Sequence, residues 1–368
     1  MRGLKFQGFI LLFISQFFAG QVWAQDDAAE SMQRAAKAAA LVENLYEPGN
    51  PGASYLISQG GKVLASGGVG MANVEWGIAM TDTTVSRLGS MSKSLTAIAV
   101  LQLVEQGKID LDVPISQYAT ELPSYMRAVS TRQLLSHRSG LPDHAFDEGL
   151  IPLIWTPMTT AEIIDFQKDK APDFEPGTQY EYVNFNYVVI AHLIEQITGR
   201  SFIEFANEEI FRSNGMTASA YDQPTAIIPQ RAESYDHRDG VKHSADLDLS
   251  HVSAAGALLS SSSEMAHWFN RLVDGDIVSA ETLQIAWTPE PLPDETATQY
   301  GLGFNISEIE GERYIWHTGL TPGAQGAFGY LPDSELFVIV LSNEFTWPAP
   351  TGALVDDMIK VMLGKESE

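Results

Sequence analysis

Apolar residues recur at two spacings, and the two alternate in blocks. Ala28 to Leu45 is Ala-rich with helical spacing, which suits a helix packed on the outside of a sheet. Between Ser54 and Met80 the spacing changes to that of β structure. Tyr55, Leu56 and Ile57 form one run, Gly60-Gly61 a turn, and Val63 to Val69 the return, so the segment reads as a hairpin. The strongest helix runs from Ser90 to Gln106. Its Leu95, Ala97, Ile98, Ala99, Val100, Leu101, Leu103 and Val104 cover most of the circumference, which marks a buried helix, and Gly107 suits the position just past its end.

From about 108 to 250 helical segments alternate with Pro-containing loops: Thr131 to Ser136, Thr160 to Gln167, Tyr187 to Thr198 and Ser201 to Ile210. β character returns after Gly311 in Tyr314 to His317, Gly326 to Tyr330 and Leu336 to Leu341. The breaks Thr321-Pro322-Gly323 and Pro332-Asp333-Ser334 make these a three-stranded meander, and Ala353 to Leu363 reads as a closing helix. The expected plan is an α/β (α+β) fold, an antiparallel sheet flanked by helices. Residues 25–107 and 251–368 supply the sheet layer, and 108–250 form an inserted, mainly helical region.

The N-terminus stands apart. Arg2 and Lys5 precede the apolar run Phe9 to Phe18, and Val22-Trp23-Ala24 offers a small-x-small cleavage site, so 1–24 reads as a signal peptide with Gln25 as the mature N-terminus. No later segment approaches the roughly 18 apolar residues of a membrane span. The expectation is a secreted protein, periplasmic or extracellular, with no stable membrane insertion after cleavage. The sequence has no Cys, which excludes disulfides, a thiol nucleophile and Cys-based zinc sites. A net charge of −25 makes nucleic acid an unsuitable partner. The eight histidines form no H-E-x-x-H or H-x-H-x-D, so neither a metal nor another cofactor is expected.

Three short motifs each occur once, in this order: Ser90-Met91-Ser92-Lys93, Tyr182-Val183-Asn184 and His317-Thr318-Gly319. Ser and Lys three residues apart on a helix share a face within hydrogen-bond reach. A serine at a helix N-terminus also meets free N–H groups and the positive end of the dipole. Lys93 sits on an otherwise apolar helix, where desolvation lowers the pKa of an ammonium toward that of a useful base. Tyr182 could relay a proton, and the Asn184 amide could hold either a substrate amide or the lysine. His317-Thr318-Gly319 ends a strand whose backbone could pair with an extended substrate. Each motif alone reads more readily as a cap, a packed side chain or a turn; their joint occurrence reverses that and points to a nucleophilic serine.

These motifs resemble those of the serine β-lactamase-like family, which includes class C β-lactamases, D-Ala-D-Ala carboxypeptidases, D-aminopeptidases and related esterases. Arg87 to Ala97, Leu134-Leu135-Ser136-His137-Arg138-Ser139-Gly140-Leu141-Pro142, Phe174-Glu175-Pro176-Gly177-Thr178, Tyr300-Gly301-Leu302-Gly303-Phe304 and the Gly-rich Gly319 to Gly326 extend the likeness over roughly residues 30 to 363. The resemblance implies a penicillin-recognising serine hydrolase fold and an acyl-enzyme route. Ser90 would be the nucleophile, with Lys93 and Tyr182 sharing proton transfer. Asn184, His317, Thr318 and Gly319 would bind substrate, and the N–H groups of Ser90 and Leu320 would form the oxyanion hole. His137 would orient its loop. Substrates would be small molecules or short peptides: esters or the amide bonds of D-amino-acid peptides, as for an esterase or a D-Ala-type peptidase, with β-lactams as the alternative, or penicillin or peptidoglycan bound without turnover by a sensor module.

Many members carry Lys where His317 stands. A partly charged histidine would anchor a substrate carboxylate less well than a permanent cation, which disfavours a dedicated β-lactamase. The apolar stretch Leu150 to Met158, with Trp155, could wall the cleft or simply pack into the core.

Overall fold

A computed structural model describes residues 29–144, 149, 153–245, 247–345 and 348–365. The expected signal peptide, 1–24, lies outside the described residues. Six strands form one antiparallel sheet: β1 (Ala53–Gln59), β2 (Lys62–Val69), β3 (Asn305–Ile309), β4 (Glu312–Thr321), β5 (Ala324–Leu331) and β6 (Leu336–Ser342), in the order β3-β4-β5-β6-β1-β2. Both ends of the chain thus meet at the β1–β6 pair, where Ile57 stands opposite Val338 and Ala53 opposite Ser342. The meander has one strand more than its apolar runs suggest. Asn305–Ile309 carries only two apolar residues and caps the edge of the sheet, where little burial is needed.

The nine α-helices of the described residues are α1 (29–43), α2 (Ser92–Glu105), α3 (Thr131–Leu135), α4 (Thr160–Phe166), α5 (Phe185–Thr198), α6 (Phe202–Phe205), α7 (Ser262–Val273), α8 (Ala280–Ala286) and α9 (Thr351–Met362). Strand alternation sorts the core into two layers. Tyr55, Ile57, Val338 and Val340 face α1 and α9, meeting Ala35, Ala38, Val42, Val355, Met358 and Ile359. Leu56, Ile339 and Leu341 face the other way, into the larger core built on α2, α5 and α7. β5 and β6 are buried along their whole length, as central strands covered on both faces must be.

α2 runs through the larger core. Leu95, Ile98, Val100, Leu101 and Leu103 are each no more than 3% exposed, and each contributes about 1.5–3 kcal/mol through burial. Gly107, at φ +68°, ends the helix in the left-handed conformation. The helix expected over Ser201 to Ile210 is α6 followed by a wider π-type segment, Ala206–Phe211. Among the described residues no helix is long and apolar enough to cross a membrane. Of the stretch Leu150 to Met158, residues 150–152 lie outside the described residues. Ile154 and Met158 pack on the core, while Trp155 is 56% exposed and lines a cavity with Phe202 and Tyr221.

Candidate active site

The helix expected to begin at Ser90 begins at Ser92. Gly89–Met91 is a separate 3₁₀ turn that carries the serine in front of α2. The reason is the close approach of β4. Gly89 adopts φ +53°, and a Cβ there would lie 2.7 Å from the Leu320 nitrogen. Reciprocally, a Cβ on Gly319 would lie 1.9 Å from the Leu88 oxygen and 3.2 Å from the Ser90 nitrogen. Two glycines therefore let the strand and the turn touch, which brings the Ser90 and Leu320 N–H groups to one place. β3 pairs with β4 only as far as Trp316, so among the described residues His317 to Thr321 has no strand neighbour on that side. A buried ion pair braces the approach: Arg87 Nε lies 2.8 Å from Asp222 Oδ2, and Arg87 Nη1 donates to the Pro322 carbonyl at 3.2 Å.

Lys93 is fully buried. Its Nζ lies 3.1 Å from Ser90 Oγ, 2.9 Å from Asn184 Oδ1 and 3.0 Å from the Ala255 carbonyl. The last two groups can only accept, so they take two N–H bonds. The third position faces Ser90. An ammonium donates there, whereas a neutral amine presents its lone pair to the serine hydroxyl. Burial pulls the Lys93 ammonium from 10.5 to about 7, while the Asp143 carboxylate pushes the other way. A substantial neutral fraction therefore exists at neutral pH.

Tyr182 stacks over this group, with Lys93 Nζ 4.7 Å from its ring centroid. Tyr182 is 38% exposed, yet its hydroxyl lies beside Ser90 in desolvated surroundings. Desolvation raises the phenol above its ordinary value of 10.0, and the neighbouring Ser90 hydroxyl opposes that rise, so Tyr182 is protonated at neutral pH. His137 holds the segment from beneath. It is buried at φ +57°, its Nδ1 accepts from the Val183 N–H at 3.1 Å, and its ring lies 4.3 Å from that of Tyr182. Asn184 is the residue at the start of α5. Its amide is occupied at both ends, by Lys93 and, through Nδ2, by Asp143 Oδ2 at 3.3 Å. The geometry fills the role at the lysine, and the second Nδ2 hydrogen of the half-buried amide leaves the role toward substrate open.

His317 departs most from expectation. It is 2% exposed, and both ring nitrogens are engaged within the protein. Nδ1 lies 2.6 Å from the Thr318 carbonyl, which can only accept, so Nδ1 carries the proton. Nε2, 3.0 Å from the Tyr300 hydroxyl, therefore accepts. Burial, and then the Lys93 charge, lower the imidazole to about 3. His317 is neutral at working pH, not partly charged, because a second cation beside Lys93 in a desolvated site is too costly. Thr318 lies on the alternate face of β4, with its exposed side chain beside Gly352, so its side chain does not share the His317 side of the strand. The Leu320 side chain is likewise outward, at 57% exposure.

Two residues of this constellation carry no chemistry-bearing motif. Tyr300 fixes His317, and Tyr187 is held beside it by donating its hydroxyl to the Leu135 carbonyl at 3.0 Å. Tyr300 opens a segment visible in the sequence only as part of a likeness. Asp143 is signalled only by its place directly after Leu141-Pro142.

An antiparallel sheet flanked by helices, with a serine and a buried lysine at the start of the central helix, defines the penicillin-binding-protein and D-amino acid amidase fold. The chain belongs to the β-lactamase family, whose model matches residues 34–358. It is 28% identical over 301 residues to the putative penicillin-binding protein PbpX of Bacillus subtilis, covering 81% of this chain and 72% of that one. It is 27% identical over 303 residues to the D-aminopeptidase of Brucella anthropi, covering 80% of this chain and 56% of the relative. The solved D-amino acid amidase of Ochrobactrum anthropi SV3, complexed with L-phenylalanine amide, superposes with a TM-score of 0.77 at 25% identity over 92% of this chain and 99% of that one.

Proposed function

We propose that this chain is an exported serine hydrolase, periplasmic or extracellular, that opens small esters and D-amino-acid amides through an acyl-enzyme on Ser90. The observation that carries the reading is the Lys93 nitrogen, with two bonds fixed on acceptors and its third position on Ser90 Oγ. The neutral amine of Lys93 takes the Ser90 proton as Oγ attacks the carbonyl carbon. Negative charge develops on the carbonyl oxygen and is met by the N–H groups of Ser90 and Leu320. Tyr182, protonated and beside Ser90, passes its proton to the departing nitrogen or oxygen and is reprotonated from the Lys93 ammonium. Water then attacks the ester carbon by the reverse relay, releasing the acid and restoring Ser90.

The neutral His317 favours substrates without a carboxylate near the scissile bond. Penicillins and D-Ala-terminated peptides carry that group; esters and amino-acid amides do not. The relatives named D-aminopeptidase and D-amino acid amidase agree with this preference. Intact-mass measurement after mixing with a p-nitrophenyl ester, D-phenylalanine amide or a penicillin tests the proposal. An acyl increment on the wild type and none on Ser90→Ala, with turnover of the ester and the amide, is expected. Wild type and Ser90→Ala behaving alike toward all three would overturn the enzyme reading and leave a binding module.

A further inference from the structure

Asp143 joins the network through the Asn184 amide. Its Oδ2 accepts from Asn184 Nδ2 at 3.3 Å, and its Oδ1 accepts from the His144 backbone N–H at 2.9 Å. The Asn184 amide therefore spans Asp143 and Lys93. An amide has one donating end and one accepting end, and a carboxylate can hold only the donating end. That choice leaves the Asn184 oxygen facing Lys93. With the amide reversed, an NH₂ group would point at the amine, repel its ammonium and compete with Ser90 for its lone pair.

The groups around Lys93 leave Asp143 as the charge that acts on it among the described residues. The Tyr182 and Tyr187 rings lie 4.7 and 5.6 Å from Nζ, with both phenols raised by desolvation and hence neutral. His137 and His317 are held neutral by burial. Behind Asp143 stand His144, whose Nδ1 lies 3.5 Å from Oδ1, and His251, whose carbonyl accepts from His144 Nε2 at 2.6 Å. Burial lowers His251 as well.

We propose that Asp143 is a positioning residue of the Ser90–Lys93 pair: through Asn184 it turns the amide oxygen to Lys93, and it supplies the counter-charge against which Lys93 releases its proton. This rests on the reading of Ser90 and Lys93 as nucleophile and base.

Asp143→Asn separates the two parts, because an Asn oxygen can still hold the Asn184 NH₂ while the charge is gone. Measured as kcat/KM for p-nitrophenyl acetate from about pH 5 to 9, the acid limb of Asp143→Asn is expected about one pH unit below that of the wild type. Its alkaline plateau should stay within about threefold. A residue that only stabilises the fold would lower the rate at every pH and leave the limb in place. Asp143→Glu, which keeps the charge, should keep the limb at the wild-type pH. Asp143→Ser, a small acceptor without charge, repeats the comparison should the Asn variant fold poorly. Carbon-13 NMR titration of the Lys93 ε-carbon reads the same displacement without turnover. A limb and a Lys93 titration that coincide with wild type in the uncharged variants, or that move upward, would overturn the role of Asp143. A wild type that neither turns over nor acylates would strike the parent reading instead, and the Lys93 titration would still decide Asp143.

Discussion

Lys93 and His317 are two buried basic side chains at the same serine, and they have opposite fates. Both are desolvated, and desolvation lowers both pKa values. The lysine starts from 10.5 and stops at about 7, with Asp143 opposing its fall. The histidine starts from 6.5, suffers the repulsion of Lys93 as well, and reaches about 3. One therefore changes protonation where the protein works, and the other is a fixed neutral ring between Tyr300 and the Thr318 carbonyl. Burial by itself does not make a catalytic base. The starting pKa and the charge of the neighbours decide which buried group remains usable.

The comparison is broken most severely by removing its titrating member. Lys93→Met, close in length but unable to take a proton, should lower kcat for ester hydrolysis by on the order of 10²-fold or more. Steady-state rates near wild type would remove Lys93 from the proton transfer. A smaller effect follows from giving the second position a permanent charge. His317→Lys supplies a cation for a substrate carboxylate and should raise penicillin acylation relative to p-nitrophenyl acetate hydrolysis by about tenfold, the effect of one charge-assisted hydrogen bond. An unchanged ratio would show that the charge at position 317 does not set substrate preference.

Much of the scaffold is legible in the sequence because burial enforces period. Tyr55 to Ile57 and Leu336 to Leu341 read as strands since each must fill a core on one or both faces, and α2 reads as buried since its apolar residues surround it. Asn305–Ile309 escapes notice because an edge strand needs few apolar residues. Ser90, Lys93, Tyr182 and Gly319 are legible as a constellation because their spacing and order are distinctive. The charge of His317 is not, since it depends on Tyr300 and on Lys93, which reach it only through the fold. Asn184 could be assigned to substrate or to lysine on chemistry alone. Asp143, distant in sequence from both, determines which way its amide points. The 3₁₀ turn at Gly89–Met91 is likewise a tertiary effect, imposed by β4 pressing on Gly89.

The central claim is that the neutral amine of Lys93 activates Ser90, and the pH dependence of the acylation burst tests it most directly. With p-nitrophenyl acetate the burst rate should rise with pH through about 7, where Lys93 loses its proton, and level off above. Lys93→Met should lack this limb. A wild-type limb that begins only above 10 would assign the base to the Tyr182 phenolate, which desolvation raises, and a flat profile across the neutral range would contradict a titrating base altogether.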